Sequence, residues 1–291
     1  MQNLNQYEQN RKMLQVLVKS RMNIQKIRTT TGSRIGEKAD GTAMDIPERN
    51  FNAIDLDTLK TLMTDTKKME NAIEKTMKGV LKRFLIYPWL ENQKGVGTIS
   101  AGWLIGVFDI YKATTVSKMW AIAGMNPGNI QGQKSVEKAK YKPEMGGIIK
   151  ELPAFKNGEK RLCVRTNTLI RGDRLTKGFL SPFNQDLKTA LLGVMATGFV
   201  MTQNSYALLH YYPHKERLAN SDQITHERKK GKTVEIPWKE ATKLHIDQAA
   251  RRKMIKEFLK DLYVEWRGVE GLPVRVPYAE EYLGKIHEKA A

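Results

Sequence analysis

"ENQKGVGTISAGWLIGVFDI", Glu91 to Ile110, is the stretch on which the fold turns. Gly95 and Gly97 flank a single valine, Val96, and an apolar stretch from Ile99 to Ile110 follows. Two readings compete. One is a tight turn between core helices, in which the small residues Ser100, Ala101 and Gly102 allow close packing. The other is a helix-hairpin-helix clamp. There the glycines permit positive φ and leave no side chain in the way. The turn and the next helix N-terminus then aim backbone amides and the helix dipole at a phosphate without reading sequence. Lys94 before the turn and Thr98 after it would add side-chain contacts.

A bare glycine turn does not choose between them, but the surrounding charge does. The 291 residues carry 49 Lys+Arg against 31 Asp+Glu, a formal net charge of +18. That excess makes a polyanion the first partner to consider and nucleic acid the commonest one. Residues 131–190, just after the motif, are the densest basic region, at a net +7. The candidate phosphate contacts are therefore Lys94, Gly95, Val96, Gly97 and Thr98 in the turn. Lys134, Lys138, Lys140, Arg165, Arg171, Arg174 and Lys177 join them from the basic segment. Arg228, Lys229, Lys230 and Lys232 come from the later run "HERKKGKTVEIPW".

Working outward, residues 4–31 read as a helix, with Leu14, Leu17, Ile24 and Ile27 at helical spacings. "TGSRIGEKADGTAMDIPERN" is a loop. From Asp55 the period returns, with Leu56, Leu59, Met63, Met69, Ile73, Met77, Val80 and Phe84 on one stripe, and Asp55 or Asp57 as its cap. Two amphipathic helices and a loop make a helical hairpin or a coiled-coil arm, residues 1–87. Glu70 and Glu74 share a helix face beside Lys67 and Lys75, which reads as a solvated, salt-bridged surface. Pro88 ends the second helix.

The remainder, residues 88–291, reads as a helical domain. Helices are expected at Ile99–Val107 and Val116–Ala123, closed by "GMNPGN". The polar segment 129–180 is expected to insert a small β-hairpin at about residues 150–170, turned at Asn157-Gly158. Helix resumes near Asn184 through the apolar run Thr189–Met201, the 226–238 run is a basic loop, and a last long helix spans Trp238–Trp266. The fold class is thus mainly α, an arm followed by a domain with a helix-hairpin-helix-like unit and a β-hairpin insertion.

The catalytic inventory is thin. One cysteine, Cys163, excludes an intrachain disulfide and a cysteine zinc cluster, and fits a reducing cytoplasm. His210 and His214 stand four apart, but Pro213 lies between them and no acidic or cysteine ligand is near. His226, His245 and His287 are scattered. No HExxH, Walker loop or strand-borne acidic pair appears, so neither cofactor nor metal is expected. The polar start "MQNLNQYEQN" is not a signal peptide. The longest apolar run is too short for a bilayer, which needs about 20 residues. A cytoplasmic, non-membrane protein is expected.

At "KGVGTISAGWLIGVFDIYKATTVSKMWAIAGMNPG" the sequence resembles the C-terminal transposase domain of the bridge-RNA-guided insertion-sequence transposases, insertion-sequence family one-hundred-ten. That family carries Pro-Gly-Ile-Gly-x-x-x-Ala, a short helical unit, and then Ala-Gly-Leu-x-Pro. Here stand Lys94-Gly95-Val96-Gly97, Ala101 and Ala123-Gly124-Met125-Asn126-Pro127, with lysine in place of the usual proline. The paired upstream helices resemble the family's oligomerising coiled-coil arm. Asn184, Leu187 and Lys188 match a helix opening of the form Lys-x-Gly-Asn-x-x-Leu-Arg. "SYALLHYYPHKERLA" and "AARRKMIKEFLKDLYVEW" resemble the two closing helices.

Two departures limit what the resemblance implies. The family's RuvC-like domain with its Asp/Glu/Asp/Asp metal site is not in this chain. The family's catalytic serine, usually in a Ser-Gly pair after Ala-Gly-Leu-x-Pro, has no counterpart pair here. Ser135 is the only serine of the enlarged region from Gly128 to Thr176. The resemblance implies a homo-oligomer from a prokaryotic phage or mobile element that binds DNA, or structured RNA, without catalysing strand exchange. Two alternatives stand beside it. One is an active recombinase using a serine such as Ser135, with a RuvC-like partner chain. The other is a phage interaction protein that seizes a host or defence protein through residues 129–180.

Overall fold

The computed structural model describes residues 4–36, 42, 53–154, 158–229 and 232–275. The described chain is mainly α-helical with two small antiparallel sheets. It divides into two compact units, Met1–Asp109 and Ile110–Ala291, whereas the sequence reading draws its boundary at residue 87.

The first unit is built on two long helices, α1 (Leu4–Ile35) and α2 (Ala53–Leu81). They pack side by side, with the short α3 (Tyr87–Glu91) and α4 (Thr98–Val107) against them. The buried residues of α1 are Tyr7, Asn10, Arg11, Leu14, Val18, Arg21, Arg28 and Gly32; all but Asn10 are spaced by three, four or seven, as in a coiled-coil seam. This corrects the expected stripe. Leu14 belongs to the seam, but Leu17 and Ile24 are half-exposed and Ile27 is 50% exposed. The seam lies one residue over and contains arginines.

The arginines explain the shift. Glu70 on α2 is fully buried rather than solvated. It accepts from Arg28 Nε at 2.6 Å and pairs with Arg21 Nη2 at 3.1 Å, while Arg21 Nε reaches Glu74 at 2.9 Å. The expected partners, Lys67 and Lys75, take no part in this network. Nearer the base the seam turns apolar, with Leu14, Val18, Met77, Val80 and Leu81 all buried. There Arg11 donates to the carbonyls of Ile105, Gly106 and Val107 and pairs with Asp109 at 3.1 Å. A cation on the last carbonyls of α4 offsets that helix's C-terminal dipole.

Two boundaries differ from expectation. The second helix stops at Leu81, and Pro88 instead opens α3, where its missing N–H costs nothing. α2 already runs from Ala53, so Asp55 sits inside the first turn rather than before it.

The second unit is organised around α9 (Lys243–Val269), the longest helix of its half. α5 (Val116–Ile122) packs on it, as do two helical arms that each contain a π segment. The first arm runs through α6 (Gln185–Thr189), a π segment (Ala190–Met195) and α7 (Ala196–Met201). The second runs through a π segment (Ala207–Tyr211) and α8 (Tyr212–Ala219). Phe199, Tyr206 and Phe258 meet in the core, with centroids 5.2 to 5.8 Å apart. The Tyr206 hydroxyl donates to buried Asp261 at 2.8 Å. Arg267 donates to the Ile110 and Ala113 carbonyls, tying α9 to the start of the unit.

The insertion contains three strands where a two-stranded hairpin was expected. β1 (Asn129–Glu137), β2 (Gly147–Leu152) and β3 (Arg161–Arg171) form an antiparallel sheet in the order β1-β3-β2. β1 was missed because "NIQGQKSVE" is polar; a register shift between Gln131 and Gln133 bulges it around Gly132. Asn157 of the expected turn lies outside the described residues. The 226–238 run is not a loop either. β4 (Ile224–Lys229) and β5 (Lys232–Pro237) pair antiparallel, with Thr225 and Glu227 turned inward. The last helix begins at Lys243 rather than Trp238, because Thr242 caps it. The Thr242 side chain accepts from His245 N–H, and Glu227 accepts from the Thr242 amide and hydroxyl. Among the described residues no helix is long and apolar enough to cross a membrane.

Candidate nucleic-acid interface

α3 ends at Glu91, and a turn brings the Val96 amide back to the Gln93 carbonyl at 3.0 Å. Gly95 sits at φ +90°, a conformation that side-chain-bearing residues rarely adopt. Gly97 is the residue before α4, extended at φ −89° and ψ 174°, and it provides no side-chain cap. A Cβ at Gly97 would meet nothing within 4 Å, so the N-terminal end of α4 opens to solvent. Lys94 is exposed, and Thr98 is half-exposed.

The rest of α4 serves packing. Ser100 to Gly106 are all buried. A Cβ on Gly102 would lie 2.5 Å from Met77 Cε and 2.9 Å from Val18 Cγ2. The opening stretch thus has two parts: from Ser100 on it is a close-packed face, and before it Gly97 and Thr98 remain accessible.

The candidate cations of the second unit fall into two groups. Some are neutralised by carboxylates. Lys138 pairs with Glu151 at 2.7 Å, Lys140 with Glu137 at 2.6 Å and Lys229 with Glu227 at 3.6 Å. Arg171 grips Asp173 with two bonds of 2.9 and 3.0 Å. The others have no ion pair among the described residues. Lys134 lies over the Phe179 ring at 4.7 Å, and Arg165, Arg174, Lys177, Arg228 and Lys232 are exposed. Lys230 lies outside the described residues.

Two cations that the sequence reading did not nominate complete this picture. Arg252 on α9 is half-exposed and makes no hydrogen bond or ion pair among the described residues. Burial pushes its pKa down; Asp173 opposes this, and Arg174 and Arg171 add to it. Lys188 on α6 donates to the Asp173 carbonyl at 2.7 Å and lies over the Phe183 ring at 4.3 Å. Burial lowers its pKa too, with Asp173 opposing and Arg252 and Arg174 reinforcing. The sequence signal was present in "AARRKM", but its charges are indistinguishable there from those of a solvated helix face.

Ser135 stands on β1 opposite Cys163. Its hydroxyl is buried and has no hydrogen-bond partner among the described residues. The Cys163 thiol lies 3.3 Å from Gln133 Oε1. His214 Nδ1 lies 3.1 Å from Arg217, and no group of three His, Cys, Asp or Glu side chains suited to a metal occurs among the described residues. His245 stacks on Trp238 at 4.9 Å and meets the Thr225 hydroxyl at 3.1 Å. Comparison with protein-family models, with curated proteins and with solved structures finds no match.

Proposed function

We propose that the chain binds nucleic acid, DNA first, by its phosphates and without chemistry on them. The observation that supports this most is the exposed N-terminal end of α4: an exposed glycine without a capping side chain, on a chain of net charge +18. Lys134, Arg165, Arg174, Lys177, Arg228 and Lys232, the candidate cations of the second unit that have no ion pair among the described residues, add separate contacts. Phosphate binding of this kind weakens steeply with salt and discriminates little between sequences. The resemblance to the transposase domain fits this reading.

Gly97→Asp tests it. The position has room for the side chain and ordinary extended dihedrals, and aspartate is a good helix cap, so the fold is retained. The carboxylate repels the phosphate. Fluorescence anisotropy on a labelled duplex at low salt is expected to show weaker binding with unchanged circular dichroism. Equal affinity would reduce the turn to packing, and no retention of DNA or RNA at low salt would end the reading.

The arm adds an oligomer to the proposal. Met13, Leu17, Ile24 and Ile27 form a second line on α1 at coiled-coil spacing, and Met13 and Ile27 are 43% and 50% exposed. A second copy of the chain is the occupant that fits. Leu17→Glu with Ile27→Glu is expected to halve the mass measured by light scattering; a wild-type monomer would refute it. One further observation favours a protein partner. β2 is an edge strand that exposes Ile148 and Ile149, an invitation to strand pairing. Co-purification of a defined protein, lost on Ile148→Lys, would support that second reading.

A further inference from the structure

A cavity of about 520 Å³ opens in the second unit between the first π segment and the beginning of α9. Lys188, Arg251 and Arg252 line it, with Leu192, Gly193 and Leu244 as an uncharged wall. Gln248 and Asp247 complete the lining. Asp247 neutralises only one of the three cations. Its carboxylate accepts from Arg251 Nε at 2.7 Å and from the Tyr211 hydroxyl, and Lys215 stands 3.7 Å away. Arg251 is therefore spent on Asp247 and on Thr197, which its Nη1 reaches at 2.6 Å. Among the described residues Arg252 and Lys188 remain without a carboxylate partner.

A partly desolvated guanidinium with no acceptor is costly unless a ligand completes it. Here the cost is compounded, since Arg252, Lys188, Arg174 and Arg171 crowd around a single carboxylate, Asp173, that Arg171 already holds. The volume lies in the range of small-ligand pockets. The π segment that forms one wall is a rare helix form, common at binding sites.

We propose that this cavity is a phosphate-ester site. It takes one nucleotide unit, with its phosphate on Arg252 and Lys188 and its sugar or base against Leu192 and Leu244. Arg252 supplies the planar fork that matches two phosphate oxygens, and Lys188 a second point charge. The site is independent of the α4 turn, so its success or failure is separable from the proposed clamp. Whether the phosphate arrives on a free nucleotide or within a strand is a choice the chemistry shares and the experiment divides.

Calorimetry on the full chain with inorganic phosphate, a nucleoside monophosphate and a short single-stranded oligonucleotide is the test. Saturable binding of any of these is expected, weakened about tenfold or more by Arg252→Gln. Gly193→Glu should do the same. A Cβ at Gly193 meets nothing within 4 Å, so the residue is accommodated while its carboxylate enters the cavity. Arg252→Lys should recover only part of the loss, because it keeps the charge and loses the fork. Monophosphate binding marks a free-nucleotide site; binding of the oligonucleotide alone marks a strand phosphate. Binding of none of the three, or affinities unchanged in both Arg252→Gln and Gly193→Glu, overturns the proposal. Oligonucleotide binding that responds to Gly97→Asp but not to the cavity variants would leave the clamp standing and remove the cavity.

Discussion

The two units share matched arginines, Arg267 in the second being held by carbonyls as Arg11 is in the first, but they differ in what else they do with the residue. In the first, Arg11, Arg21 and Arg28 are buried and each is matched to a carboxylate or a row of carbonyls, so the charge helps to fold the chain. In the second, Arg174 and Arg252 are left without partners among the described residues, so the charge is held ready for something else. Net charge alone cannot tell these apart. A basic composition predicts a polyanion partner only for the cations that the fold leaves unspent.

The strongest way to break this contrast is to remove the acid at the centre of the arm. Glu70→Ala leaves two buried guanidinium groups facing each other, and a loss of about 3–5 kcal/mol is expected. Hydrogen exchange on the α1 and α2 amides reads it. A loss below about 1 kcal/mol would mean that the arm does not depend on its ion pairs. Glu70→Gln should lie between the two, since it keeps hydrogen-bond acceptance without the charge.

Acidification separates the units in a second way. All five histidines lie beyond residue 109, so the first unit has none to titrate. In the second, burial depresses the pKa of His214 and of His245, and neighbouring cations add to both shifts; Glu227 opposes the shift at His245. A histidine depressed in the folded state protonates more readily when unfolded. Its stabilising contribution is complete above the ordinary value of about 6.5 and declines as the pH falls below it. Between pH 7 and 5.5 the exchange protection of α9 should fall while that of α1 holds. His214→Gln with His245→Gln should flatten the α9 profile, and an unchanged slope would place the cause elsewhere.

The remaining effects are smaller, and their sign is the point. Arg252→Gln should leave stability within about 0.5 kcal/mol of wild type or raise it, since it removes a desolvated cation without a partner. A clear loss in thermal unfolding would show Arg252 to be structural. Gly97→Asp should raise stability by about 0.3 kcal/mol as a new cap, and a loss would mean that α4's N-terminal end is not as open as its geometry indicates.

The same distinction marks how far the sequence was legible. Apolar runs were, in part: the 189–201 segment is helical and buries Ala190, Leu191, Met195, Ala196 and Phe199 while Val194 and Met201 stay exposed, and the small residues of α4 do pack closely. The seam of α1 was not. Hydrophobic periodicity favours Leu17, Ile24 and Ile27, and cannot see that Arg21 and Arg28 find carboxylates 42 to 53 residues away. β4 and β5 were hidden for a related reason. In "HERKKGKTVEIPW" charge masks the alternation, and the inward Glu227 is explained only by the Thr242 cap it completes. At the candidate sites, the GVG turn was visible as a local motif. The Arg252 cluster was not, because it joins the end of β3, α6 and α9 across more than seventy residues of chain.

The π segment at Ala190–Met195 has one more consequence. An α-helix turns about 100° per residue, so a stretch wound more slowly sets the phase of everything after it. Phe199 meets Phe258 and Tyr206 because of the phase inherited from that stretch. Shortening the segment by one residue and rewinding it to ordinary pitch would return the downstream aromatic face to nearly the same phase, since the slowly wound stretch turns about as far as an α-helix one residue shorter. The wall of the cavity at Gly193 and the aromatic core at Phe199 therefore lie on one continuous helix, and the π segment between Ala190 and Met195 sets how they face each other.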